Sequence, residues 1–179
     1  QLFLDKYPDS QRRDDVNDKV NQLTKKIELK MYNQAKLFYQ MGEYKSSTVF
    51  FDNLLIEFPD TEFAEEVNYL IAESQFKLAK KSIESKQIDR YKKSVRAVKT
   101  FKNKFKESKY NERVFEIKKR SQEEIVRLKK ELPEYYHKIG DYDKSISLYE
   151  TLLRRAKTKK EQQNFALQLF QVFHTKSQK

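Results

Sequence analysis

Cysteine and tryptophan are absent from this chain of 179 residues, glycine occurs twice and proline three times. Without cysteine there are no disulfides, no zinc ribbon and no thiol nucleophile. Gly42 and Gly140 lie too far apart to build a phosphate-cradling loop. So little glycine and proline also disfavours sandwiches and barrels, whose many tight turns draw on both. No run approaches the roughly 20 apolar residues that span a bilayer, and the first residues lack the regions of a signal peptide. The N-terminus is therefore expected to be an internal cut.

Histidine is scarce too, and His137 and His174 show no HExxH-type spacing that would suggest a metal site. Acidic pairs such as Asp14-Asp15, Glu65-Glu66 and Glu123-Glu124 are adjacent, so on a helix they point about 100° apart and cannot flank one substrate. No catalytic residue, cofactor or metal is expected. What the chain does have is 36% charged and 13% aromatic residues. That aromatic content supplies core material and separates it from disordered chains of similar charge.

One phrase recurs. Its fullest copy runs Gly42-Glu43-Tyr44, Ser47, Phe51, Leu54 and Phe58-Pro59-Asp60-Thr61. A second reads Asp89-Arg90-Tyr91, Ser94, Val98, Phe101 and Phe105-Lys106-Glu107-Ser108, and a third Gly140-Asp141-Tyr142, Ser145, Tyr149 and Leu152. Tyr7-Pro8-Asp9-Ser10 matches the stop of a further copy. Self-similarity at this length predicts stacked helical hairpins, because one hairpin cannot bury its own apolar face.

Hydrophobic periodicity fills in the elements. Val16, Val20, Leu23, Ile27, Met31, Ala35 and Phe38 step by three or four, predicting one amphipathic helix from Arg12 to Met41. Gly42 ends it. Lys45 to Phe58 is the return helix, stopped by Pro59, with Asp60 or Thr61 capping the next. That next helix is expected to reach about Lys86, with a return over Tyr91 to Phe105 and a last helix of the run from about Tyr110 to Leu128. Gln162 to Thr175 reads as a further outgoing helix, and Gln1 to Asp5 as a return helix without its partner. Counted from Gly42, the small, aromatic, apolar and proline positions of the tetratricopeptide pattern fall on Ser47, Phe51, Leu54 and Pro59. The fold class expected is an all-α, tetratricopeptide-like helical-hairpin solenoid.

Several of these stretches together resemble a particular family. They are Tyr7-Pro8-Asp9-Ser10, the helix with Leu23-Thr24-Lys25-Lys26-Ile27-Glu28 and Tyr32-Asn33-Gln34-Ala35-Lys36-Leu37-Phe38-Tyr39, Gly42-Glu43-Tyr44, Phe58-Pro59-Asp60-Thr61, and Ala79-Lys80-Lys81-Ser82-Ile83-Glu84-Ser85-Lys86. This part, about Gln1 to Glu124, is similar to the carboxy-terminal repeats of the BamD family of outer-membrane protein assembly factors, closest in wording to its Bacteroidetes-type members. The resemblance implies a periplasmic lipoprotein of the β-barrel assembly machine, a non-enzymatic scaffold held to the inner leaflet of the outer membrane by a lipid anchor. That anchor, a lipidated cysteine, is not present in this chain. It also implies two partners: the POTRA region of the barrel-forming subunit, and unfolded outer-membrane protein substrates. The sequence leaves open a general tetratricopeptide adaptor for another envelope or cytoplasmic protein, and a basic nucleic-acid-binding helical protein.

Two segments follow from the family order. Residues 1–128 read as carboxy-terminal-type repeats. Residues 129–179 read as an additional repeat, and Leu132-Pro133-Glu134-Tyr135-Tyr136 through Arg155 looks like a first repeat placed after the last. Two explanations stay open: an amino-terminal piece numbered out of order, with an unseen segment between Lys179 and Gln1, or an extra divergent terminal repeat. Pro133 stands where the helix before Gly140 should be uninterrupted.

The groove of such repeats is lined by the first helix of each hairpin. Counting back from Gly42 places Tyr32, Lys36 and Tyr39 there, an aromatic and cationic set suited to a peptide carboxylate. The equivalents before Gly140 are Arg127, Lys130, Glu134 and His137. Glu43, Tyr44 and Phe50, with Phe51, surround the turn and are candidates for docking a folded partner, although Phe51 also fits the core. A formal charge of +11 comes with clusters at Lys80-Lys81, Lys92-Lys93, Lys102 to Lys106, Lys118-Lys119-Arg120, Lys129-Lys130 and Lys157 to Lys160. These are expected to be solvated helix faces, with an acidic protein or lipid as the next reading; nucleic acid is not the expected partner.

Overall fold

The computed structural model describes Lys6 and residues 12–178. The expected stop at Tyr7-Pro8-Asp9-Ser10 and return helix at Gln1 to Asp5 lie outside the described residues. The fold is all-α. Among the described residues the helices are α1 (Arg13–Gln40), α2 (Tyr44–Glu57), α3 (Ala64–Lys80), α4 (Glu84–Lys104), α5 (Asn111–Lys138), α6 (Tyr142–Arg155) and α7 (Lys159–Ser177). Each packs against the helix before it, and α3 also touches α5. Short connections leave consecutive helices as antiparallel neighbours. Among the described residues no helix is long and apolar enough to cross a membrane.

The two glycines close helices in the same way. Gly42 and Gly140 hold φ of +80° and +82°. The Gly42 and Glu43 amides bond to the carbonyls of Tyr39 and Phe38, and those of Gly140 and Asp141 to His137 and Tyr136. This is the paired bonding of a Schellman motif, which uses carbonyls a helix end would otherwise leave open. The start signals differ. Asp141 caps α6 by accepting the Lys144 amide, and Thr158 caps α7 by accepting that of Glu161. Asp60 or Thr61 is the expected cap of α3, but the Thr61 hydroxyl takes the Phe63 amide and donates to Glu28 of α1. Helix α3 then begins at Ala64 without a side-chain cap.

The structure corrects the second copy of the repeated phrase. Asp89-Arg90-Tyr91 lies inside α4, and the turn sits at Lys81–Ile83 instead. No glycine is present there. Ser82 takes over: its carbonyl accepts Gln87 Nε2 at 2.9 Å, and its hydroxyl donates to the Leu78 carbonyl and accepts from Arg90. The return helix α4 is thus longer than α2, 21 residues against 14. Ser94, Val98 and Phe101 are nonetheless fully buried, as are their counterparts Ser47, Phe51 and Leu54.

Helix α5 also differs from expectation. It continues past Leu128 to Lys138 and carries Pro133 in its interior, fully buried. Two of the three apolar clusters among the described residues draw on it. Val114 and Ile117 join the main core with Phe51, Leu54, Val67, Val98 and Phe101. Leu128 packs with Ala79 and Tyr91 of the α3–α4 hairpin. Tyr149, Phe165 and Val172 form a third cluster between α6 and α7. Each fully buried aliphatic or aromatic side chain contributes about 1.5–3 kcal/mol, which makes the main core the principal source of stability.

Buried serines set the helix spacing. Ser47, Ser74, Ser94, Ser121 and Ser145 are all fully buried. Ser47 and Ser74 hydroxyls face each other at 3.5 Å, Ser121 donates to Ser94 at 3.3 Å, Ser94 to the Ala72 carbonyl at 3.3 Å and Ser145 to the Pro133 carbonyl at 2.8 Å. A small side chain admits the neighbouring backbone, and the bond satisfies a hydroxyl that burial would otherwise penalise. Along α1 the outcome is different. Tyr32 and Ala35 are buried, whereas Leu23 and Ile27 are 58% and 53% exposed. Helix α2 has half the length of α1, so the first part of the apolar stripe has no opposing helix among the described residues.

Candidate functional site

The polar side chains that gather most closely lie on α1, α3 and α5. Tyr32 is buried and stacks on Phe63, with ring centroids 4.2 Å apart and planes at 14°. One helical turn on, Lys36 Nζ donates to the Tyr32 hydroxyl at 2.8 Å and to Glu66 Oε1 at 3.0 Å. Tyr39 accepts from Lys77, whose ammonium also pairs with Glu73 at 3.2 Å and lies 4.4 Å from the Tyr39 ring centroid. Tyr44 extends the row, its ring 5.9 Å from Tyr39 and 4.9 Å from Lys81 Nζ.

The same arrangement returns between α3 and α5. Tyr69 stacks on Tyr110, centroids 4.5 Å apart and planes at 8°, with the Arg113 guanidinium 5.9 Å from the Tyr69 ring. Beside it opens a cleft of about 490 Å³, lined by Tyr69, Glu73, Arg113, Glu116, Ile117 and Arg120, along with Glu112. It combines an aromatic face, an aliphatic side chain, two guanidiniums and carboxylates, the mix that orients a peptide side chain or terminus.

Protonation states in this row are well separated. Burial pushes the Tyr69 and Tyr39 hydroxyls up, so both stay neutral. Burial also pushes the Glu73 carboxyl up, but hydrogen bonds from Tyr69 and Tyr39 and the Lys77 charge prevail and hold it below the ordinary range. Lys36 is raised by its bonds to Tyr32 and Glu66. At neutral pH the row is therefore a ladder of fixed ammoniums, carboxylates and hydroxyl donors.

The residues predicted from sequence divide into two groups. Tyr32, Lys36, Tyr39 and Tyr44 belong to the row. Glu43 is exposed at the turn. Phe50 is half-buried against the main core, its ring 4.8 Å from Phe38. Arg127, Lys130, Glu134 and His137 lie further along α5. Arg127 pairs with Glu124 and Glu131 of its own helix at 2.7 and 2.5 Å, and Glu134 with Lys138 at 2.8 Å. Lys130 and His137 turn to α7, with Lys130 3.7 Å from Glu161 and His137 Nε2 3.3 Å from Thr175.

Sequence reasoning missed the α3 and α5 half of the row: Glu66, Tyr69, Glu73, Lys77 and Arg113. The groove positions are counted from the two glycine turns alone, and the α3–α4 turn has no glycine to count from. The signal was present in the spacing of Glu66, Tyr69, Glu73 and Lys77, which step by three and four along one helix side. Among the described residues no group of three His, Cys, Asp or Glu side chains could hold a metal ion. No family model matches this chain, and no curated protein matches it.

Proposed function

We propose that this chain is a tetratricopeptide-like helical-hairpin solenoid and a non-enzymatic scaffold subunit of outer-membrane β-barrel assembly. In this reading it works at the periplasmic face of the outer membrane of a Gram-negative bacterium. It docks on the POTRA region of the barrel subunit and helps to receive unfolded outer-membrane proteins. One observation carries the binding role: the tyrosine row recurs, Tyr32 on Phe63 and Tyr69 on Tyr110, with charged side chains one turn on in each case. A recurring polar row beside recurring buried serines is what stacked hairpins produce when each presents the same face. The resemblance of Tyr32–Tyr39, Gly42-Glu43-Tyr44 and Phe58-Pro59-Asp60-Thr61 to the BamD family supports the choice of complex.

An extended polypeptide has clear uses for the row. Aromatic side chains lie against Tyr69 and Ile117, and a carboxylate meets Arg113, where charge-assisted bonds are about twice as strong as neutral ones. The test is crosslinking of the full-length protein in its own envelope fraction, followed by mass spectrometry. A POTRA-containing protein joined through Lys36, Lys45 or Lys80 is the expected result. Recovery of soluble partners alone would sink the assembly reading and leave a general adaptor.

A further inference from the structure

The charge of this protein is not spread evenly. From Arg90 to Lys106 there are eight basic residues and no acidic one. Helical spacing places Lys92, Arg96, Lys99 and Lys102 of α4 on one side, and Phe115, Gln122 and Val126 of α5 on the side adjoining it. Two contacts fix that juxtaposition. Lys102 Nζ lies 5.6 Å from the Phe115 ring centroid, and Lys92, Val95, Arg96, Gln122, Ile125 and Val126 line one shallow, mainly apolar depression. Lys118, Lys119 and Lys129 flank it on α5, all exposed.

Among the described residues these cations are nearly uncompensated. Lys92 pairs with Asp89 at 3.0 Å, but Arg96, Lys99, Lys118, Lys119 and Lys129 form no ion pair with any of them. Self-repulsion of this kind is retained at some cost to the folded state and is relieved by an anionic partner. The apolar members decide which kind. Phe115 and Val126 are 57% and 58% exposed, amid lysines whose long stems can lie along them. A face of lysines around exposed phenylalanine and valine, lying along two helices, suits the boundary between phospholipid headgroups and acyl chains. A nucleic-acid surface would instead present stacking platforms and arginine forks, and here a single arginine, Arg96, sits in the depression.

We propose that the α4–α5 face, opposite the tyrosine row, binds the surface of an anionic phospholipid bilayer. Lys92, Arg96, Lys99 and Lys102 meet the headgroups, and Phe115 and Val126 enter the acyl boundary. This goes beyond the scaffold reading and does not rest on it, because lipid binding by this face and recovery of a POTRA partner can each succeed without the other.

The experiment is vesicle co-sedimentation with phosphatidylcholine vesicles, with and without phosphatidylglycerol. Wild-type protein should sediment only with the phosphatidylglycerol vesicles. Each cation removed near an anionic surface lowers partitioning about fivefold, so the triple variant Arg96→Glu, Lys99→Glu, Lys102→Glu should lose at least about a hundredfold. A control with the same change in net charge elsewhere, Lys157→Glu, Lys159→Glu, Lys160→Glu, should bind nearly as wild type. A Phe115→Ser, Val126→Ser variant should retain charge-driven binding and lose the part that persists in high salt. No binding to anionic vesicles, equal loss in the control triple, or tighter binding to duplex DNA than to vesicles at the same salt would each overturn the proposal.

Discussion

Pro133 offers the sharpest test of how this chain is put together. In α5 it is an interior residue with its ring fully buried and its carbonyl accepting from Ser145. Interior proline costs about 3 kcal/mol relative to alanine, through the missing amide and the clash with the preceding turn. Replacing it with alanine removes two buried methylenes, about 1.6 kcal/mol at about 0.8 each. It also returns freedom to the unfolded chain, worth about 0.7 kcal/mol. The balance is a gain of roughly 0.7 kcal/mol for Pro133→Ala, or about 2 °C in Tm for a protein of this size. Urea unfolding followed by circular dichroism measures it. If Pro133 instead stood in the first turn of a helix, no interior penalty would be there to recover, since proline is at home there. The same variant would then lose about 2 kcal/mol. A clear loss would therefore refute the continuous-helix argument.

Two further substitutions probe the packing and the polar row. Ser94→Ala and Ser94→Leu both leave the Ser121 hydroxyl without its acceptor, at about 1–3 kcal/mol, and Ser94→Leu should cost about 1–3 kcal/mol more from overpacking; equal stability of the two variants by chemical denaturation would contradict the close-approach role. Glu73, whose carboxyl is held below its ordinary 4.5, contributes stability that is fully present above that value and is lost as pH falls through the lowered one. Glu73→Gln should accordingly be less stable at neutral pH and show a shallower loss on acidification, and an unchanged acid limb in thermal melts would mean that Glu73 gains nothing from Tyr69, Tyr39 and Lys77.

The parts legible in the sequence were those written by local chemistry. Gly42 and Gly140 mark helix ends because their left-handed φ is open to few other residues, and the apolar steps of α1 and α2 report helices directly. The α3–α4 turn was not legible. Asp89-Arg90-Tyr91 imitates Gly42-Glu43-Tyr44, while the true turn at Lys81–Ile83 is held by the Ser82, Gln87 and Arg90 side chains rather than by a glycine. Moving the turn about seven residues, close to two helical turns at 3.6 residues each, keeps Ser94, Val98 and Phe101 on the buried face. The downstream pattern thus matched although the boundary did not. Burial along α1 was equally hidden, because periodicity states which side is apolar but not how far a shorter neighbour reaches.

The two faces of the molecule follow different electrostatic rules. On the side of the tyrosine row, Lys36, Lys77 and Arg120 each hold a carboxylate within 3.2 Å. The Lys36 and Lys77 pairs are partly sheltered, so they fix the geometry of the row more than they add stability. On the α4–α5 side Lys92 has Asp89, but Arg96, Lys99, Lys118, Lys119 and Lys129 form no ion pair among the described residues. Charges that already have partners discriminate among ligands by shape and hydrogen bonding, because any newcomer must displace an existing bond. Charges without partners attract any anionic surface, and they weaken with salt over a Debye length of about 8 Å at physiological strength. In the scaffold and bilayer readings proposed above, these two faces would divide the work: the partnered row would hold a polypeptide in register while the unpartnered cations keep the molecule at a charged surface.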